Sequence, residues 1–203
     1  MRLLVDSDAF CKLAVWGLLQ EAVCQLGTDL PNCGRLAALP HMLRRGRLRK
    51  MLGDVASDSI LPLTSTMPMI RQPNTAWLEK LARVESVDPG EAQIFAVAAE
   101  TGLTVISGDK RALCALKGIS DFVEALRGKI VTLEAILIAL CDRCGLDEVR
   151  RRVQTAIHCD KMVRVCFSPG NTDTLMALNS YYRSTITELD PLVLWNPRSG
   201  GSA

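Results

Sequence analysis

Apolar and polar positions along the chain alternate between short solid runs and longer stretches of helical spacing. Arg2, Leu3, Leu4 and Val5 lead as an apolar run into Asp6, and Leu103 to Ile106 form a second run that ends at Ser107 and Gly108. Runs of this length with turn residues behind them predict buried parallel strands. After the first, Phe10, Leu13, Ala14, Gly17, Leu18 and Ala22 recur at helical spacing, predicting one helix that ends near Gly27. Before the second, Asp88-Pro89-Gly90-Glu91 opens a helix through Ile94, Phe95, Val97, Ala98 and Ala99 that stops at Gly102. Residues 111–117 predict a helix, Ile130 and Val131 a short strand, residues 133–140 a strongly apolar helix, and residues 146–156 another bearing Arg150, Arg151 and Arg152.

The segments between are less regular. Pro62, Pro68 and Pro73 among Ser and Thr make residues 54–75 a meandering connection, with one strand expected around residues 60–63. From Pro169 onward the chain reads as polar and turn-rich, and residues 198–203 are expected to be a disordered tail. Strands alternating with helices predict an α/β fold with a central parallel sheet covered by helices on both faces. The boundaries expected are a domain over residues 1–145 and a C-terminal extension over residues 146–197.

Composition narrows the class. Of 203 residues, 48% are hydrophobic and 23% charged, enough apolar content for a real core and too much for intrinsic disorder. Twenty-four basic against 22 acidic groups leave +2, so affinity for nucleic acid has to come from a local patch. Eight cysteines are too sparse for a disulfide scaffold and read as small buried residues. The opening residues carry no signal-peptide pattern, and no apolar stretch approaches the roughly 20 residues of a membrane span, so a cytoplasmic protein without membrane contact is expected.

Ligands of open parallel sheets gather beyond the carboxyl ends of the strands. Asp6 follows the first strand with Asp8 two residues on, Glu91 stands in the first turn of the helix before the second strand, and Asp109 follows that strand. Carboxylates from separate elements that meet at one sheet end repel each other unless a divalent cation lies between them. A hard cation such as Mg²⁺ or Mn²⁺ suits such oxygen donors and can activate water against a phosphodiester. Each acid also has a plainer role available: Asp88 with Glu91 has capping-box spacing, and Asp6, Asp8 and Asp109 are each placed as a helix N-cap.

Three motifs in this order, Leu3-Leu4-Val5-Asp6-Ser7-Asp8-Ala9-Phe10, Asp88-Pro89-Gly90-Glu91-Ala92 and Val105-Ile106-Ser107-Gly108-Asp109-Lys110-Arg111-Ala112, resemble the PIN-domain nucleases across about the first 130 residues. The resemblance implies a three-layer α/β/α fold and a Mg²⁺- or Mn²⁺-dependent ribonuclease, often the toxin of a toxin–antitoxin pair. It places Asp6, Glu91 and Asp109 as the family's first, third and fourth acids, with Asp8 as an additional candidate ligand. RNA is the implied substrate; an antitoxin protein and a homo-oligomer stand as candidate partners. The sequence departs from the family at the second acid, where Leu39-Pro40-His41-Met42-Leu43-Arg44-Arg45 is basic. Asp8, Asp54 and Asp58 are the candidates to substitute there, and the loss of that acid sustains the alternative of an inactive PIN-like binding module.

Arg44, Arg45, Arg47, Arg49 and Lys50 form the densest basic run, and Lys110 and Arg111 flank Asp109, so these are the candidate RNA contacts. Asp6-Ser7-Asp8 also resembles the D-x-D of haloacid-dehalogenase-type phosphatases, but Phe10 and Leu113 stand where that pattern needs a Thr or Val and a second Asp. Cys141 and Cys144, with His158, Cys159 and Cys166 downstream, lack zinc-knuckle spacing and fit core positions better.

Overall fold

The computed structural model describes residues 1–82 and 84–198. Strand β1 (Leu3–Val5) runs into helices α1 (Ser7–Val15) and α2 (Leu19–Gln25), then β2 (Cys33–Gly34). Four helices follow, α3 (Leu39–Arg45), α4 (Arg47–Leu52), α5 (Asp54–Ile60) and α6 (Thr75–Leu81). Then come α7 (Pro89–Thr101), β3 (Thr104–Ile106), α8 (Lys110–Leu116), α9 (Ser120–Ala125) and β4 (Ile130–Val131). The last four are α10 (Leu133–Cys144), α11 (Leu146–Val153), α12 (Lys161–Cys166) and α13 (Thr174–Leu189).

All four strands are parallel, in the order β2-β1-β3-β4. The α/β class with a central parallel sheet is therefore as expected. Leu4 pairs with Gly34 on one side and Val105 on the other, and β1, with a neighbouring strand on each edge, is buried throughout. After β2 the chain crosses back to lay β3 on the other side of β1. The strand order thus reverses between β1 and β3, where a ligand crevice forms in such sheets. Asp6 and the Ser107–Gly108–Asp109 turn leave the sheet there, tied by Asp6 N–H to the Ile106 carbonyl at 3.0 Å.

Several expectations need correction. The expected strand at residues 60–63 is the end of α5 and a 3-10 turn over Leu61–Ser65, because Pro62 lies at the start of the turn, where its fixed φ suits helical geometry and its missing N–H costs nothing. The single helix expected after β1 is two helices, broken at Gly17, whose φ of +64° only glycine adopts without strain. The polar stretch after Pro169 contains α13, 16 residues long, which buries Leu178, Tyr182, Thr185 and Leu189 on one face. The helix expected over residues 146–156 ends at Val153 and continues as a 3-10 turn distorted at Ala156. Strand β2, not anticipated, is two residues long. A Cβ on Gly34 would stand 2.5 Å from Met1 Sδ and 2.8 Å from Ile70 Cγ2, so only glycine lets this strand close on its neighbours.

Residues 146–197 are joined to the α1–α2 region and to the sheet edge. Trp16 Nε1 donates to the Ala156 carbonyl at 3.1 Å, and Arg152 donates to the Gly17 carbonyl and to Glu21. Leu194 bridges Ile130 in parallel, extending the β4 edge. Of the expected tail, Arg198 donates its N–H to Asn196 Oδ1 at 3.0 Å, and residues 199–203 lie outside the described residues. Among the described residues, no helix is long and apolar enough to cross a membrane.

Candidate functional site

The crevice at the switch point is a cavity of about 620 Å³, and Asp6, Asp8, Asp88, Glu91 and Asp109 all line it. The sequence thus brings its three principal candidates together from β1, α7 and β3. Each is placed by the local chemistry that starts a helix. Asp6 is the N-cap residue of α1 in extended backbone and makes no side-chain cap, while its carbonyl accepts from Phe10 N–H at 2.8 Å. Asp88 Oδ1 accepts from the amides of Gly90 and Glu91, and Glu91 Oε2 accepts from Asp88 N–H at 2.8 Å, so the capping box is real. Asp109 Oδ1 caps α8 through the amides of Arg111 and Ala112, while Oδ2 pairs with Arg111 at 3.0 Å.

Capping therefore holds Glu91 and Asp109 in place without removing them from the cavity wall. Removing the cap at Asp88 should show the cost of that placement: Asp88→Ala is expected to destabilise the fold by about 1–2 kcal/mol in urea denaturation.

The electrostatics record crowding of like charge. Burial pushes the Asp6 carboxyl up to about 7, with the charges of Asp8 and Asp88 adding to the effect against the pull of the Ser7 and Asp8 amides. Burial likewise raises Glu91 to about 7, aided by the charges of Asp88, Asp109 and Asp6 and opposed by the Asp88 amide. For Asp109, burial acts upward but the Arg111 guanidinium and the amides of Ala112 and Arg111 outweigh it, leaving the carboxyl below its usual value. Two buried carboxyls poised near neutrality beside an ionised third mark a site where added positive charge is welcome.

Part of that charge is already supplied by the protein. Lys12, one turn after Asp8 on α1, is buried and places its Nζ 2.6 Å from Asp8 Oδ2 and 2.7 Å from Asp160 Oδ2. Burial would lower the Lys12 ammonium, but the two carboxylates more than reverse it. Sequence reading misses Lys12, although a lysine among the apolar residues of the last turn of α1, four residues from Asp8, is a legible sign. It cannot show Asp160, which arrives from a segment 148 positions away at the start of α12.

The oxygen donors suit a hard divalent cation, and Asp6, whose carboxyl feels only the amides of Ser7 and Asp8 and makes no side-chain cap, is the member best placed to bind it. Asp8 spends one oxygen on Lys12, and Glu91 and Asp109 spend one each on backbone amides. Among the described residues no three His, Cys, Asp or Glu side chains are arranged to hold an ion. Of the three candidates to stand in for the missing acid, Asp8 lines the cavity, whereas Asp54 and Asp58 both pair with Arg49 at 2.6 Å and are not on its wall.

Of the basic candidates, Arg47, Lys110 and Arg111 line the cavity. Arg44 and Arg45, exposed in the last turn of α3, are not on its wall. Lys110 pairs with Glu188 at 2.5 Å, an exposed contact easily exchanged for a phosphate. Cys141 and Cys144 are free thiols on α10, the first buried with its thiol pushed up to about 12 by burial. No protein-family model, no curated protein and no solved structure matches this chain.

Proposed function

We propose that this chain is a metal-dependent ribonuclease of PIN-like, three-layer α/β/α architecture. The observation that carries the reading is the convergence of Asp6, Glu91 and Asp109 on one cavity at the switch point of a parallel sheet, with the Asp6 and Glu91 carboxyls raised to about 7 by burial and by neighbouring carboxylates. Asp6, Glu91 and Asp109, which line one cavity without being set as a ligand triad, would have to draw together to hold Mg²⁺ or Mn²⁺. Such an ion, when bound, supplies charge stabilisation and an activated water for phosphodiester hydrolysis.

The chain's own groups complete the site. Lys12 has three ammonium protons and spends two on Asp8 and Asp160, leaving one for a phosphate oxygen. Arg47 and Arg111 both line the cavity and offer guanidinium forks for the flanking backbone. Glu91 Oε1, the oxygen not used in the capping box, is the acceptor available to orient water. The ion pair of Asp8 with Lys12 speaks against a phosphatase in which Asp8 would be a free acid. The antitoxin and homo-oligomer partners rest on the resemblance alone.

A second reading, the inactive binding module, is favoured by one feature: cations of the protein itself, Lys12 and Arg111, already neutralise acids of the site. Incubation of the full chain with single-stranded RNA in Mn²⁺ and in EDTA decides between them. Cleavage only with Mn²⁺ is expected; intact RNA that is nonetheless bound would favour the module. Arg47→Ala is expected to weaken RNA binding and to reduce the slope of log affinity against log salt by about one contact, about 0.7 for a single strand.

A further inference from the structure

A second cavity of about 540 Å³ adjoins the first, sharing Asp8, Lys12, Gly108 and Lys110 with it. That volume suits a nucleotide-sized ligand. Its walls combine three features that the proposed hydrolysis does not use. Glu134, in the first turn of α10, is 9% exposed and among the described residues accepts a side-chain hydrogen bond from the Thr185 hydroxyl alone, at 2.7 Å, which leaves carboxylate lone pairs for a further donor. Ser107, fully buried, has a hydroxyl with no hydrogen-bond partner among the described residues. Tyr181 of α13 contributes an exposed aromatic ring, with Lys110 and Lys161 beside the same opening.

We propose that this second cavity is a base-recognition subsite that takes a guanine of the RNA strand next to the scissile phosphate, an inference that rests on the ribonuclease reading. Guanine alone presents two neighbouring donors, the N1–H and the 2-amino group, which an ionised carboxylate accepts side by side. Adenine and cytosine offer one amino donor beside a ring acceptor, and uracil one N–H between two carbonyls, so each sets an acceptor against Glu134. Tyr181 supplies a face for stacking, Met162 an apolar wall, and Lys161 a contact for the nucleotide's phosphate. Because Lys12 and Lys110 line both cavities, a strand seated in the second carries its next phosphate into the first.

The test is nucleotide binding to the full chain in EDTA, where no cleavage occurs, by calorimetry with GMP, IMP and UMP and with short single-stranded RNAs that contain or lack one guanine. GMP is expected to bind about tenfold or more tightly than UMP, with IMP between them for want of the 2-amino group, and the guanine-containing RNA tighter than GMP. Glu134→Gln keeps the Thr185 bond and should remove the preference without lowering the melting temperature. Tyr181→Ala, at an exposed position, should weaken all the nucleotides together. Equal binding of GMP and UMP, no binding, or a preference unchanged in Glu134→Gln would overturn the subsite. GMP bound more tightly than the guanine-containing RNA would overturn its assignment to a strand. Preference for GMP in a protein that leaves RNA intact with Mn²⁺ would instead remove the ribonuclease and leave the subsite standing.

Discussion

Asp6→Asn is expected to lower Mn²⁺-dependent RNA cleavage by about a hundredfold or more and, in EDTA at pH 8, to make the protein harder to melt. The loss follows from removing the charge best placed to hold the cation. The gain follows from the cost of burying that charge. With its folded value near 7 against an ordinary 3.8, the Asp6 carboxyl holds its proton more tightly in the folded chain than in the unfolded one. Stability of the metal-free protein therefore falls as pH rises from about 4 to about 7, and the penalty is complete above that. Each pH unit between the two values corresponds to about 1.4 kcal/mol, so with relaxation around the charge the penalty is about 2–4 kcal/mol. Asparagine keeps the shape and stays neutral, so the variant should escape it. Glu91 titrates in the same sense between about 4.5 and 7, so the wild-type curve should slope over the whole interval. Melting curves from pH 4 to 8 with and without Mn²⁺ check this: the two proteins should converge at pH 4, and Mn²⁺ should raise the wild type at pH 8 far more than the variant. An Asp6→Asn protein that melts below the wild type at pH 8 in EDTA would show that Asp6 is a structural charge.

This trade of stability for a charged crevice explains which parts of the molecule the sequence disclosed. The three acids were legible because each sits at a junction with a local signature: an apolar run that ends in Asp, a Pro-Gly-Glu helix start, an apolar run that ends in Ser-Gly-Asp. The same signatures marked α7 and the two central strands, while a nearly continuous apolar run marked α10. What escaped was whatever depended on distant partners. Cys33–Gly34 is a strand only because Leu3 and Leu4 offer an edge to it, and nothing in two residues announces that. Helix α13 carries mixed polar residues such as Asn179, Ser180 and Arg183, and its buried face becomes visible only once α10 lies against it. Around Pro62 the apolar run suggested a strand, but without a neighbour to pair with, the backbone satisfied its own hydrogen bonds in a 3-10 turn. Glu134 and Ser107 were invisible as a pair for the same reason: one follows β4, the other β3, and only the register of those strands brings both to one cavity.

The strongest effect on folding is expected at Lys12. Its ammonium lies between Asp8 and Asp160 at 2.6 and 2.7 Å, with the lysine side chain 10% exposed and the two acids 26% and 13%. Replacing it by methionine keeps much of the volume and leaves two carboxylates facing each other with little water to screen them. Removing one partner from a buried ionic group costs about 3–5 kcal/mol, because the charges left behind are uncompensated. Lys12→Met should therefore show that loss in urea denaturation at pH 7, with the midpoint lowered and the slope unchanged. Asp160→Asn in the same protein removes one of the stranded charges and should restore part of the loss, which a merely additive pair of substitutions would not do. The double variant also separates anchoring from chemistry. Lys12 and Asp160 tie the end of α1 to the start of α12, so a protein whose stability returns in the double variant while RNA cleavage does not would place the Lys12 ammonium on the substrate phosphate. If both return together, its work is to hold residues 146–197 against the site.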